Sequence, residues 1–130
     1  ISFFFKPELS DATWRMILGK RLGQYNLYLQ GGYLKWFPNG SNSTQLSIPI
    51  VANTEYHVAI VCDGTVTKFY INGQYAGSTS TMITAGASSE FVIGYGDYGS
   101  EYFKGYIDEL RITTSTTTDT FTVPTTAYTS

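Results

Sequence analysis

The stretch that decides the fold is EYHVAIVCDGTVTKFYINGQYAG, residues 55–77. It consists of short runs of β-branched, aromatic and apolar residues that are separated by turn signals. Asp63-Gly64 is the signal for a two-residue hairpin, because a type I′ turn needs positive φ at both of its positions. Asn72-Gly73 is a second such signal. The stretch therefore predicts consecutive antiparallel strands.

Similar β-rich runs recur along the whole chain, at residues 2–6, 13–20, 24–30, 33–37, 45–50, 66–72, 75–78, 90–95 and 102–113. About ten strands with short loops predict an all-β, two-sheet antiparallel jelly-roll sandwich with a single domain. Because strand side chains alternate between faces, the pattern also predicts a core: Phe3, Phe5, Leu27, Leu29, Trp36, Val58, Ile60, Phe69, Ile71, Ile93, Ile107 and Leu110. Residues 113–130 contain ten Thr and two Ser, and we interpret them as an edge strand and a C-terminal linker.

Composition excludes several classes of function. Of the 130 residues, 14% are charged and the net charge is −2, so we expect no nucleic-acid partner. No apolar run has the length of a membrane span, and a single cysteine, Cys62, cannot form an intrachain disulfide. The chain starts in what reads as the middle of a strand, so we expect a domain of a longer protein.

Two motifs resemble one known family. The stretch at residues 55–77 is similar to the central hairpin of laminin-G-like, concanavalin A-like jelly rolls, and FVIGYGDYGSEYFKGYIDELRI, residues 91–112, is similar to their closing motif. The resemblance covers residues 1–112 and implies two packed antiparallel sheets. The end of the chain further resembles such domains in bacteriophage tail proteins, which implies a virion or extracellular location.

The chain departs from this family in one respect, since it lacks the strand that usually precedes residues 1–6. The sheet edge that is left open could be covered by the Thr-rich tail, by a preceding domain or by another chain. An uncovered edge favours self-association or pairing with a neighbouring domain.

The motif GYIDELRI, residues 105–112, places two acids inside a strand. Strict alternation puts Asp108 on the same face as Leu110, so a buried Asp108 needs hydrogen-bond donors, a cation, or a kink that redirects it. Asp108 is accordingly a candidate calcium ligand, although Ca²⁺ requires six to eight oxygens. The favoured interpretation is a structural Asp108 with no cofactor, and with Glu109 pointing outward.

The loop GYGDYGSEY, residues 94–102, is the first candidate binding site. Its tyrosines offer apolar ring faces with a polar tip, and its acids can accept hydrogen bonds from sugar hydroxyls. The predicted ligand-binding residues are Tyr95, Asp97, Tyr98, Glu101 and Tyr102. An ordinary surface loop remains the alternative.

A second candidate lies on the non-core face of the sheets, where His57 and Tyr70 are expected to be neighbours. Tyr28 and Phe37 are expected on the same face, which would make a sugar-binding groove. A solvated sheet face without a ligand is the alternative.

Catalysis is not predicted. Glycoside hydrolysis needs two facing carboxylates about 5–10 Å apart, whereas Asp108 and Glu109 are adjacent and His57 is the only histidine. We therefore expect a non-catalytic, carbohydrate-binding recognition module that binds a glycan or host-surface receptor, on a virion tail fibre or on a secreted or cell-surface protein. The alternative is a structural or protein-interaction domain of a larger assembly.

Overall fold

A computed structural model of the chain describes residues 1–20, 25–39, 43–83, 90–95 and 101–113. These residues form strands and turns, and none of them belongs to a helix that could cross a membrane. The strands, in chain order, are β1 (Ser2–Pro7), β2 (Arg15–Lys20), β3 (Tyr25–Gln30), β4 (Tyr33–Phe37), β5 (Thr44–Gln45), β6 (Tyr56–Cys62), β7 (Thr67–Ile71), β8 (Gln74–Thr79), β9 (Phe91–Ile93), β10 (Glu101–Tyr102) and β11 (Gly105–Arg111).

The strands form two sheets, which confirms the predicted two-sheet sandwich. A five-stranded sheet has the order β11-β1-β6-β7-β8, and a six-stranded sheet has the order β10-β2-β3-β4-β5, with β9 also paired to β2. All pairings are antiparallel except the short one between β10 and β2. The predicted strand at residues 102–113 is divided, because β10 and β11 belong to different sheets.

The core lies between the two sheets and contains most of the predicted residues. The largest fully buried side chains include Trp36, Phe3, Phe5 and Phe69. Ile107 and Leu110 are half-buried and pack against this cluster. Ile93 was predicted to be in the core, but it is exposed, because β9 is a three-residue strand at the edge of its sheet. Burial of each large apolar side chain contributes about 1.5–3 kcal/mol, so these side chains dominate the stability of the sandwich.

The two turn signals of residues 55–77 give different turns. Asn72 and Gly73 have φ of 51° and 77°, and Ile71 pairs with Gln74, as a two-residue type I′ hairpin requires. The same prediction was wrong for Asp63-Gly64, where only the glycine has positive φ.

The turn at Asp63 is longer because its side chain takes part in the turn. The last strand pair is Cys62 with Thr67. Asp63 Oδ1 accepts hydrogen bonds from the backbone N–H groups of Thr65 and Val66, both at 2.8 Å. An aspartate that binds the backbone in this way stabilises a local turn that competes with the tighter hairpin.

A β-bulge explains the two acids of β11. Phe4 pairs with Asp108, but Ser2 pairs with Arg111, so one extra residue is inserted between these two pairs. Glu109 has φ of 52° at this point. Consequently Ile107 and Leu110 both face the core while Asp108 is exposed. The expectation that Asp108 shares a face with Leu110 was wrong, and a kink that redirects the side chain is the alternative that applies.

Candidate functional site

The loop at residues 94–102 begins and ends against the same strand, β2. The N–H of Gly94 donates to the carbonyl of Ile17 at 2.7 Å, next to the pairing of β9 with β2. At the other end of the loop, Tyr102 pairs with Met16. The two ends also meet, since the N–H of Phe103 donates to the carbonyl of Gly94 at 3.3 Å. The main chain of β2 thus fixes where the two flanking tyrosines lie.

Tyr95 and Tyr102, two of the predicted ligand-binding residues, form an exposed aromatic pair. Their ring centroids are 5.6 Å apart and the rings meet edge to face at 71°. The two side chains are 38% and 61% exposed, so a ligand can reach them. Asp97 and Tyr98 lie outside the described residues, and for Glu101 only the main chain, in β10, is described.

Strand pairing extends this pair into a row across the six-stranded sheet. Directly paired residues project their side chains from the same face of a sheet. The pairings give one continuous row, Tyr102, Met16, Tyr28, Lys35 and Gln45, which we call the outer row. It lies on the outer face because the alternating neighbours in β3 and β4 fill the core, namely Leu27, Leu29, Leu34 and Trp36. Met16 and Tyr28 are buried within the row, so its accessible members are Tyr102, Lys35 and Gln45.

Trp14 lies over the middle of the outer row. Its ring centroid is 5.7 Å from that of Tyr28 and 5.8 Å from that of Phe37, and both contacts are edge to face. Trp14 is 39% exposed, whereas Tyr28 beneath it is buried. Trp14 belongs to the predicted run at residues 13–20 but was not identified as a site residue, because its position beside Tyr28 and Phe37 depends on how the strands pair. An aromatic residue in a predicted strand was the only signal available in the sequence.

Arg15 fixes the end of β10 that carries Tyr102. Its guanidinium donates to the two carboxylate oxygens of Asp11 at 3.2 and 3.0 Å, and Nη1 donates to the carbonyl of Tyr102 at 3.3 Å. These hydrogen bonds to Arg15 lower the pKa of Asp11 below its usual value. The buried Arg15 side chain therefore connects the outer row to the segment that precedes β2.

The second predicted site is divided between two surfaces. Tyr28 and Phe37 belong to the six-stranded sheet, whereas His57 and Tyr70 lie in β6 and β7 of the other sheet. The outer faces of two packed sheets point in opposite directions, so these four residues cannot line one groove. The sequence indicates which consecutive strands form hairpins, but it does not reveal which hairpins belong to the same sheet.

His57 and Tyr70 are also inaccessible to a ligand in this arrangement. They are 1% and 4% exposed. The His57 ring packs against Phe4 at 4.7 Å between centroids, and Tyr70 packs against Tyr75 at 6.0 Å. Burial lowers the pKa of His57.

Asp108, the candidate calcium ligand, accepts a hydrogen bond from its own neighbour. Its Oδ1 lies 2.8 Å from the backbone nitrogen of Glu109. Within the ranges that the structure describes, no three His, Cys, Asp or Glu side chains form a group that could hold a metal ion. Calcium binding at Asp108 stays an untested alternative to the expected structural role.

The geometry defines a class of protein, a jelly-roll sandwich that presents aromatic side chains on the outside of one sheet. The family follows from comparison with known sequences. The chain belongs to the laminin-G branch of the concanavalin A-like lectin/glucanases superfamily, whose family model matches residues 1–120. This confirms the resemblance at the level of the family, while a bacteriophage origin stays a prediction. A search of curated proteins gave no significant match.

Two solved structures support the same fold. A candidate carbohydrate-binding protein from Bacteroides ovatus ATCC 8483 is similar with a TM-score of 0.64 and 21% identity, over 83% of this chain and 34% of that one. A heptameric SAP-like pentraxin from Limulus polyphemus has a TM-score of 0.60 and 21% identity, over 82% of this chain and 58% of that one. The chain thus spans about a third of the Bacteroides ovatus protein and less than three fifths of the Limulus polyphemus pentraxin.

Proposed function

We propose that this domain is a non-catalytic recognition module that binds carbohydrate at the outer row and the adjoining loop. The observation that carries the proposal is the exposed pair Tyr95 and Tyr102, which β2 holds in place from both ends of the loop. Exposed aromatic rings on a rigid support suit sugars, because the ring face is apolar and the tyrosine hydroxyl can hydrogen-bond. Asp97, Tyr98 and Glu101 of the same loop are proposed to supply further contacts.

The comparisons agree with this proposal. The family includes lectins, and one protein with a similar fold is described as a candidate carbohydrate-binding protein. A fold alone does not determine function, so the exposed pair Tyr95 and Tyr102 supports carbohydrate binding more strongly than the similarity in fold does. By the same reasoning we propose a secreted, cell-surface or virion-surface location, where glycans are accessible.

The absence of catalysis is part of the proposal. A glycosidase needs two carboxyl groups that face each other across the sugar. The two acids that the closing motif supplies, Asp108 and Glu109, are consecutive residues at a bulge in β11. They lie in the five-stranded sheet, whereas the outer row lies on the six-stranded sheet.

A glycan array probed with the domain, followed by titration of the bound glycans, tests the proposal. Replacing Tyr102 with Ala should weaken binding roughly 3–10-fold, the effect of about 0.5–1.5 kcal/mol of aromatic stacking. The melting temperature should change little, since the side chain is mostly exposed. Tyr95→Ala should behave in the same way.

The matched control is Tyr106→Ala, because Tyr106 is 66% exposed and lies in β11 of the other sheet. Its loss should leave glycan affinity unchanged. The proposal fails if the domain binds no glycan, which would favour a protein-interaction role. The site is wrong if a glycan binds and Tyr102→Ala and Tyr106→Ala have equal effects.

A further inference from the structure

Lys35 provides a positive charge in the middle of the outer row. It lies in β4 between Tyr28 and Gln45, its partners in the neighbouring strands. Its Nζ is 4.9 Å from the centroid of the Trp14 ring, and it donates a hydrogen bond to the side chain of Gln30. The ammonium group is therefore held at a defined position beside an exposed indole.

This charge has no carboxylate contact in the described part of the chain. The Arg15 guanidinium, by contrast, forms an ion pair with Asp11, so the charge of Arg15 is already offset. An ammonium group has three donors, and Gln30 accepts one of them from Lys35. The remaining donors and the uncompensated charge are available to an anion that approaches the outer face.

We propose that the outer row binds an acidic oligosaccharide, with a carboxylate or sulfate group on Lys35 and sugar rings at Tyr102 and Tyr95. The inference rests on the proposed function and specifies its ligand. Tyr102 and Lys35 are three strand positions apart in the row, which corresponds to about 14 Å. A single sugar ring cannot contact both residues, so the site requires a chain of several sugars.

Local chemistry favours an acidic sugar over a neutral one. A sugar hydroxyl could accept a hydrogen bond from Lys35, but a carboxylate or sulfate also carries a full negative charge, and its Coulombic attraction to the ammonium adds to the hydrogen bond. The neighbouring Trp14 ring excludes water from one side of the ammonium, which reduces solvent screening of the interaction. The attraction is local, because the chain as a whole has a net charge of −2.

The test compares oligosaccharides that share one backbone and differ in charge: a neutral form, a carboxylated form and a sulfated form. Isothermal titration at low and high salt measures affinity for the domain and for Lys35→Gln. A second variant, Lys35→Met, retains the apolar stem against Trp14. Lys6→Gln is the matched control, because Lys6 is an exposed lysine in β1 of the other sheet.

The domain should bind at least one of the two acidic forms about tenfold or more tightly than the neutral form, which corresponds to about 1.4 kcal/mol of charge–charge attraction. Both Lys35 variants should lose this preference, whereas Lys6→Gln should keep it. The carboxylated and sulfated arms then identify which anion is recognised.

Two results would overturn the inference and can be told apart. Equal affinity for neutral and acidic forms, or a preference that survives in both Lys35 variants, removes the acidic ligand but leaves the proposed function. Absence of binding to every glycan removes both. The melting temperature of each variant shows whether it is folded. The comparison of the neutral, carboxylated and sulfated oligosaccharides with the wild-type domain is valid even if a variant unfolds.

Discussion

Glu109 determines where the side chains of the closing strand point. Its φ of 52° is uncommon for a residue with a side chain, and the carboxylate of Asp108 accepts its backbone N–H. The extra residue lets Ile107 and Leu110 both reach the core. We therefore expect Asp108 to have a structural role, as the acceptor that stabilises the bulge.

Removing that acceptor should destabilise the domain without involving calcium. Asp108→Ala is expected to lower the free energy of unfolding by about 0.5–1.5 kcal/mol, the typical net contribution of a hydrogen bond. Urea denaturation should give the same decrease with calcium and with a chelator, and Asp108→Asn, which keeps an acceptor oxygen, should lose less. If calcium raises the wild-type melting temperature and Asp108→Ala abolishes the rise, Asp108 is a metal ligand instead.

The sequence led to the wrong face for Asp108 because alternation assumes an uninterrupted strand. A bulge depends on the partner strand, here β1, and the residues 105–112 alone do not reveal it. Trp14 was missed for a related reason, since its exposure depends on Tyr28 and Phe37 in other strands.

At the level of elements, the start of β11 requires a glycine. Gly105 has φ of 146°, and a Cβ atom there would lie 2.2 Å from the carbonyl oxygen of Lys6 and 2.9 Å from Cα of Pro7. Both neighbours are main-chain atoms of β1, to which Gly105 pairs. A side chain would force the two strands apart.

Gly105→Ala should therefore reduce the free energy of unfolding by about 2–4 kcal/mol, from backbone strain and steric overlap together. Gly31→Ala is the control, since Gly31 has φ of 63° and no atom lies within 4 Å of the place that its Cβ would take. The free energy of unfolding of this variant should fall only by the contribution of backbone strain. Chemical denaturation of both variants gives the comparison. Equal losses would mean that β11 does not pack against β1 as closely as described.

Individual strands and turns were largely predictable, whereas their assignment to sheets was not. Turn residues such as Asn72-Gly73 act locally, so the hairpin follows from the sequence. The separation of His57 and Tyr70 from Tyr28 and Phe37 depends on long-range pairing. The loop at residues 94–102 was identified from composition, but its position beside the outer row follows from the pairing of β10 with β2.

For the molecule as a whole, three side chains in the described part of the chain make stability depend on pH in the acidic range. Burial lowers the pKa of His57 from its usual 6.5, backbone hydrogen bonds lower the pKa of Asp63 from 3.8 to about 2, and Arg15 lowers that of Asp11. In each case the unfolded chain binds a proton more readily than the folded domain. Stability is thus greatest above these usual pKa values and is lost as the pH falls.

We expect the melting temperature to fall in two stages on acidification. The first begins as the pH drops below 6.5 and should be reduced in His57→Gln. The second lies between pH 3.8 and about 2 and should be reduced in Asp63→Asn, which keeps the side-chain oxygen of the turn. Calorimetry across this range checks both, and a melting temperature that rises on acidification would contradict the assignment.

The attachment of residues 94–102 to one strand has a consequence for protein engineering. Residue 94 and residue 102 both meet β2, and their main chains meet each other through Phe103. New sequences or extra residues inserted between them would start and finish at the same place on the scaffold, and longer loops add little closure entropy. This segment is therefore a natural position for a randomised library, from which binders with new specificities could be selected on an unchanged sandwich.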